Sequence, residues 1–221
     1  MLLAWSGGKD AALALEELSR AGTPATGLVT TFGAETKRTS MHGVRRSLME
    51  AQAVALDLPL HIIEVPGDGT REGYRRVMQE ALTELDADRI AYADLFLEDI
   101  REYREALLDE IDYTGVWPLW NSNTKRLVET LLDDAYQCIT VVVDGSALSP
   151  AFLGQSVSRS FVAALPDAVD PCGERGEFHT FVADAPSFTQ PVPVRPGRRL
   201  TRDLGGTPFH YADILFGRRV K

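Results

Sequence analysis

Two short segments carry residues whose types and spacing could do chemistry. The first is Ser6-Gly7-Gly8-Lys9-Asp10, which follows the apolar run Leu2–Trp5 and opens a stretch with helical spacing. Adjacent glycines let a backbone turn sharply and bring its amides close to a ligand. Free N–H groups at a helix start, with the helix dipole behind them, favour a phosphate. Ser6 adds a hydroxyl, Lys9 a point charge, and Asp10 a carboxylate able to hold a divalent cation between phosphates. The segment is neither a GxxxxGK[ST] loop nor a GxGxxG fingerprint. The plain alternative is a Gly-Gly strand-to-helix turn with a solvated Lys-Asp pair.

The second segment runs from Asp170 to Thr180 and contains Gly173-Glu174-Arg175-Gly176-Glu177. Each glutamate follows a glycine, so backbone bulk is low where a ligand approaches. Such a carboxylate pair can bind ammonium, hold Mg²⁺ or act as a general base. Composition alone favours an exposed acidic turn before a strand.

Other residues carry weaker signals. Thr30 and Thr31 end the second apolar run, where sheets of this kind bind adenine, or they are ordinary β-branched strand residues. His42 precedes a helix and either touches the nucleotide or sits at the surface. Asp94, Glu98 and Asp99 lie at a strand end and a helix start, facing a site or complementing the dipole. Trp117 and Trp120 flank Pro118 and read as wall or core packing. Cys172 reads as a structural thiol, and Cys172 with His179 lacks the partners a metal site needs.

The elements that must position these groups alternate. Apolar runs at Leu2–Trp5, Ala25–Thr31, Leu60–Val65, Arg89–Ala93, Val116–Trp120 and Ile139–Val143 read as strands, the third ended by Pro66-Gly67-Asp68-Gly69. Between them, Asp10–Arg20, Val44–Leu56, Arg71–Leu85, the stretch through Ile100 and Ile111, and Lys125–Ala135 have helical spacing. This is the pattern of an α/β fold, a parallel sheet with helices on both faces. Near residue 145 the chain turns rich in Gly, Pro, Ser and Phe, with a helix expected at Gln155–Leu165 and a strand at Glu177–Ala183. The expected division is a nucleotide-binding domain, 1–149, and a smaller loop-rich lid, 150–221.

Bulk composition is that of a globular protein: 221 residues, 44% hydrophobic and 25% charged. A net charge of −9, from 32 acidic and 23 basic residues, argues against general nucleic-acid binding. Cys138 and Cys172 show no CxxC spacing and read as reduced thiols. No run approaches the roughly 18 apolar residues of a membrane span, and MLLAWSGGKD lacks the features of a signal peptide. The expected location is the cytoplasm.

The first segment resembles the pyrophosphate loop (PP-loop) of the adenine nucleotide alpha hydrolase superfamily of ATP pyrophosphatases, SGGxDS, with Ala11 in place of the final serine. Gly173–Thr180, GERGEFHT, resembles the GE-x-GE-[YF]-x-T segment of the diphthine–ammonia ligase (diphthamide synthase) family, which joins such a loop to this segment. Met41-His42-Gly43, Asp94–Ile100 and Phe152-Leu153-Gly154 also resemble family segments, so the likeness spans most of the chain. The resemblance implies a Rossmann-like fold and ATP-dependent amidation with Mg²⁺. A carboxylate attacks the α-phosphate, pyrophosphate leaves, and ammonia displaces AMP. Ser6, Gly7, Gly8, Lys9, Asp10, Thr30, Thr31 and His42 are then expected at the nucleotide, with Asp10 on the metal. Lys9, Asp10, Glu174 and Glu177 are expected in catalysis, and Asp94, Glu98, Asp99 and Thr180 near the acceptor. ATP and ammonium are the implied partners; the acceptor carboxylate and a homodimer stay open. A tRNA-modifying PP-loop enzyme and a non-catalytic ATP- or AMP-binding module are the competing readings. Replacing Gly8 with Val is expected to abolish nucleotide binding in calorimetry; unchanged affinity would defeat the phosphate-loop reading.

Overall fold

The computed structural model describes residues 1–66 and 70–217, so Gly67–Gly69 of the expected turn lie outside the described residues. Five short strands form a parallel sheet: β1 (Leu2–Ala4), β2 (Gly27–Gly33), β3 (Leu60–Val65), β4 (Arg89–Ala91) and β5 (Thr114–Val116). Their order is β3-β2-β1-β4-β5, with Leu3 opposite Leu28 on one side and Ala91 on the other. The chain winds outward from β1 to β3 and then returns to the far side of β1. The crevice beyond the carboxyl ends of β1 and β4 is therefore the topological switch point.

Side chains of alternate strand residues feed two apolar layers. Leu2, Val29, Ile63 and Ile90 meet Met78 and Leu82 of α3 (Arg71–Thr83) and Leu107 and Leu108 of α4 (Glu98–Asp109). Leu3, Leu28 and Ala91 face the other way, toward α1 (Lys9–Arg20), α2 (Arg46–Leu56) and α5 (Thr124–Asp133). Helices thus cover both faces, as the alternating pattern implies.

One expected strand belongs elsewhere. β6 (Gln137–Asp144) was expected to complete the parallel series, yet it lies in a second, antiparallel sheet. Its neighbours there are β7 (Phe178–Asp184) and β9 (Thr207–Phe216), with β8 (Val194–Leu204) at the edge. An apolar run of Val and Ile specifies burial on both faces but not the direction of its partners. The expected helix at Gln155–Leu165 shrinks to α6 (Arg159–Ala163). Gly154, Gln155 and Val157 instead bond along β6 through Thr140 and Cys138. The stretch expected to be loop-rich also holds the long β8–β9 hairpin, turned by Gly205 and Gly206 at φ 66° and 89°, a two-residue turn that suits the strand twist.

Helix α1 lies between the two sheets. Lys9, Ala11, Ala12, Leu13, Ala14, Leu15 and Leu18 are all buried, so it is covered almost all round, and its alanines allow close approach. Ala11, at the position of the motif serine, is part of this apolar packing.

A buried amide joins the layers. Gln52 of α2 is 0% exposed; its Nε2 donates to the carbonyls of Gly7 (3.0 Å) and Val182 (2.7 Å), and its Oε1 accepts from Trp5 Nε1 (2.9 Å). Gln52→Leu would strand Trp5 Nε1 and the Val182 carbonyl without partners. The expected loss is about 2–5 kcal/mol, read from the urea midpoint; a change below about 0.5 kcal/mol would refute the bracing role.

Candidate active site

The first motif forms the turn between β1 and α1. Gly7 has φ +78°, a conformation that favours glycine, and a Cβ there would meet Gln52 Oε1 at 2.8 Å and Met49 Sδ at 2.9 Å. A Cβ on Gly8 would meet His42 Cε1 at 2.8 Å and the Thr180 carbonyl at 3.1 Å. The glycine pair is thus required by protein packing, and an effect of Gly8→Val on nucleotide binding would also act through His42. Ser6 Oγ accepts from the Gly8 amide at 3.2 Å and stabilises the turn.

Strand β7 brings the second motif against this turn. Val182 N donates to the Gly7 carbonyl at 2.9 Å, and Lys9 N donates to Thr180 Oγ1 at 3.1 Å. His42 Nδ1 lies 2.9 Å from the Thr180 carbonyl, so that nitrogen carries the hydrogen. Segments at opposite ends of the chain therefore share one set of hydrogen bonds.

The Lys9 ammonium is buried and donates to both Asp10 oxygens, at 3.0 and 2.7 Å, with the Phe178 ring 5.4 Å away. Burial pulls its pKa down, but Asp10, with help from Cys172 and Glu174, more than offsets this and keeps it charged. Glu174 Oε1 accepts from the Leu95 amide at 2.8 Å, which places it at the carboxyl end of β4. Burial pushes its pKa up to about 7; the Leu95 hydrogen bond opposes the shift, and Asp10 and Asp94 reinforce it. Asp94 accepts from Trp117 Nε1 at 3.3 Å and pairs with Arg104 at 3.2 Å.

Ser6, Gly7, Gly8, Lys9, Asp10, His42, Asp94, Glu174 and Thr180 are thus drawn together. Thr30 and Thr31 follow Val29, whose carbonyl accepts from Trp5 N at 2.7 Å. Thr30 is buried, and Thr31 Oγ1 lies 3.1 Å from Ser40 Oγ. Glu177 plays a different part from its neighbour: both its oxygens accept backbone amides, Asp170 N and Arg175 N, each at 2.9 Å. It braces the loop that carries Glu174. Glu98 and Asp99 are exposed in the first turn of α4, where they complement the helix dipole.

Sequence reasoning missed Gln52 and weighed His179 only as a metal ligand beside Cys172. Gln52 sits four residues after Leu48 on a buried helix face, and a polar residue at an apolar position was the available signal. The His179 ring lies 4.8 Å from that of His42, and its Nε2 is buried with no partner among the described residues. Burial holds the His42 pKa down at about 4 and that of His179 well below the ordinary value, so both rings are neutral at pH 7. Burial also raises the Cys138 thiol to about 12 and pushes Cys172 up, in keeping with structural thiols. Among the described residues, no group of three or more His, Cys, Asp or Glu side chains could hold a metal by itself. Asp10, about one-quarter exposed, could serve as a single protein ligand alongside phosphate oxygens.

Residues 1–113 match the family model of the diphthamide synthase N-terminal domain, and residues 123–206 that of its C-terminal domain. The chain belongs to the diphthamide synthase family. No protein among those of curated function matches it. Diphthamide synthase membership supports a ligase of the diphthine–ammonia ligase kind, and the two matched segments flank the crevice that Glu174 and Lys9 line. No described helix is long and apolar enough to cross a membrane.

The raised Glu174 pKa has a stability consequence in this diphthamide synthase relative. Between its ordinary value of 4.5 and about 7, the folded state binds more proton than the unfolded one. Its contribution is therefore present at low pH and lost as pH rises through that window. His42 and His179 act in the opposite sense at acid pH, so the wild type must be compared with a variant. Glu174→Gln is expected to match the wild type near pH 4 and exceed it at pH 8 by about 1–2 kcal/mol, allowing for solvent screening. Urea midpoints at the two pH values check this, and a pH-independent difference would contradict it.

Proposed function

We propose that the chain is an ATP-dependent ligase that cleaves ATP to AMP and pyrophosphate and uses the acyl-adenylate to form an amide with ammonia. The observation that carries this reading is the meeting of Glu174 with Lys9 and Asp10 in the switch-point crevice. An acceptor carboxylate oxygen attacks the α-phosphorus, and the bond to the departing pyrophosphate breaks. Lys9 neutralises charge on that leaving group. Ammonia then attacks the acyl carbon, and AMP leaves with its bonding electron pair. Glu174, with a pKa near 7, accepts the proton that the attacking nitrogen loses. Glu177 contributes by holding the Glu174 loop in shape rather than by touching the reactants.

Mg²⁺ bound with the phosphates would supply charge neutralisation, with Asp10 as its protein ligand. The base of ATP would lie toward Thr30 and Thr31, with His42 beside the turn at Gly8. Buried free thiols suit a reducing compartment such as the cytoplasm. They do not suit sulfur transfer by a tRNA-modifying enzyme, which needs a reactive thiolate.

The test is product analysis with ATP, Mg²⁺, ammonium and candidate carboxylates. AMP and pyrophosphate are expected; ADP and orthophosphate would refute this reading, and ATP binding without turnover would favour a regulatory module. Glu174→Gln should keep ATP binding and lose about 10²–10⁴-fold in amide formation. Glu177→Gln should instead lower stability along with activity.

A further inference from the structure

Beyond Asp94, which contacts Trp117 and Arg104, lies a stack of side chains that the ligase reading does not use. The Arg104 guanidinium lies 4.1 Å from the centre of the Tyr92 ring, and Tyr92 is stacked on Trp117 with centroids 5.9 Å apart. The Arg101 guanidinium lies 4.7 Å from the Trp117 centroid and 4.8 Å from that of Trp120. Two guanidinium groups and three rings thus form one contiguous stack of five side chains from α4, the end of β4 and the segment after β5. Trp117 ties the stack to the site, because its Nε1 donates to Asp94, and Asp94 is within electrostatic reach of Glu174.

Arg104 is neutralised by Asp94. Arg101 is not fully used. Its Nε donates to Glu105 at 2.8 Å, while its terminal nitrogens have no hydrogen-bond partner among the described residues. Its side chain is 34% exposed and that of Glu105 42%, so their ion pair is a weak, solvated one that a ligand can outcompete. Two indoles flank the guanidinium, whose terminal nitrogens offer a fork of donors that matches a carboxylate. The ligase reading puts the reacting carboxylate at Ser6–Asp10, so a carboxylate held by Arg101 is a second group on the acceptor.

We propose that Arg101, clasped by Trp117 and Trp120, is an anion subsite that selects acceptors carrying a second carboxylate besides the one that reacts. The acceptor role rests on the ligase reading, whereas the anion subsite can be tested without turnover. Tryptophan emission is the readout: of the three tryptophans, Trp5 is buried and bonded to Gln52, and the other two form the clasp. Glutarate should change the emission saturably, while butyrate at equal ionic strength should need at least about tenfold more. Arg101→Gln should need about 10–100-fold more glutarate, the scale of a lost charge-assisted pair, with ATP affinity kept as the sign of an intact fold. Arg101→Lys, which keeps the charge but loses the fork, should fall between them. Equal responses to glutarate and butyrate, or variants that bind glutarate like the wild type, would overturn the subsite even if AMP is produced. Arg101-dependent glutarate binding by a protein that turns ATP into ADP and orthophosphate would leave the anion subsite standing and defeat the ligase reading instead.

Discussion

The Gly7 carbonyl is the point on which the structure turns. It accepts from Val182 N of β7 and from Gln52 Nε2 of α2, so the turn after β1 is held by both sheets' worth of structure. β7 is an edge strand, and an uncovered edge would expose a row of unpaired backbone groups. Here Gly7, Gln52 and His42 take Val182 N, the Val182 carbonyl and the Thr180 carbonyl. The loop that opens α1 therefore serves as the missing neighbour of a strand. That constraint demands a positive φ at Gly7 and the absence of a side chain at Gly8.

Around this joint the chain concentrates charge where it is expensive to keep. A buried Lys–Asp pair is poor evidence of stability, because desolvation offsets much of the attraction. Burial is the main reason that nearby Glu174 resists ionisation; of the pair, Asp10 adds to that resistance and Lys9 opposes it. The two imidazoles beside the turn stay uncharged at pH 7, so they add polarity without adding charge. Perturbed ionisation gathered in one crevice is the usual mark of a functional site.

Much of this was legible in the sequence. Four strands of the parallel sheet and the helices followed from apolar periodicity, and Leu60–Val65 was read to its exact ends because turn residues and a helix bound it; β5 was misplaced, since Thr114–Val116 ends where the apolar run Val116–Trp120 begins. The meeting of the two glycine-containing motifs followed from their resemblance to a family that carries both. The fate of β6 was not legible, since its valines fit either sheet. Nor was the difference between Glu174 and Glu177, which share the same local pattern. Only the three-dimensional supply of amides separates them, Leu95 for one and Asp170 with Arg175 for the other. The Arg101 clasp was hidden because it joins a helix of ordinary amphipathic spacing to two tryptophans that read as packing.

The dependence of the first turn on β7 also shapes how the molecule is made. The Ser6–Asp10 turn cannot settle into its final form until a strand made some 170 residues later docks on it, a long-range closure of the kind that slows folding. Until then Gly7 lacks one of its two donors and Lys9 lacks the Phe178 ring beside it. Domains tend to fold in order of synthesis, so the parallel sheet can assemble early while its ligand crevice stays unfinished. The final shape of the turn thus waits for β7, and a polypeptide that lacks this strand is left with the crevice unfinished.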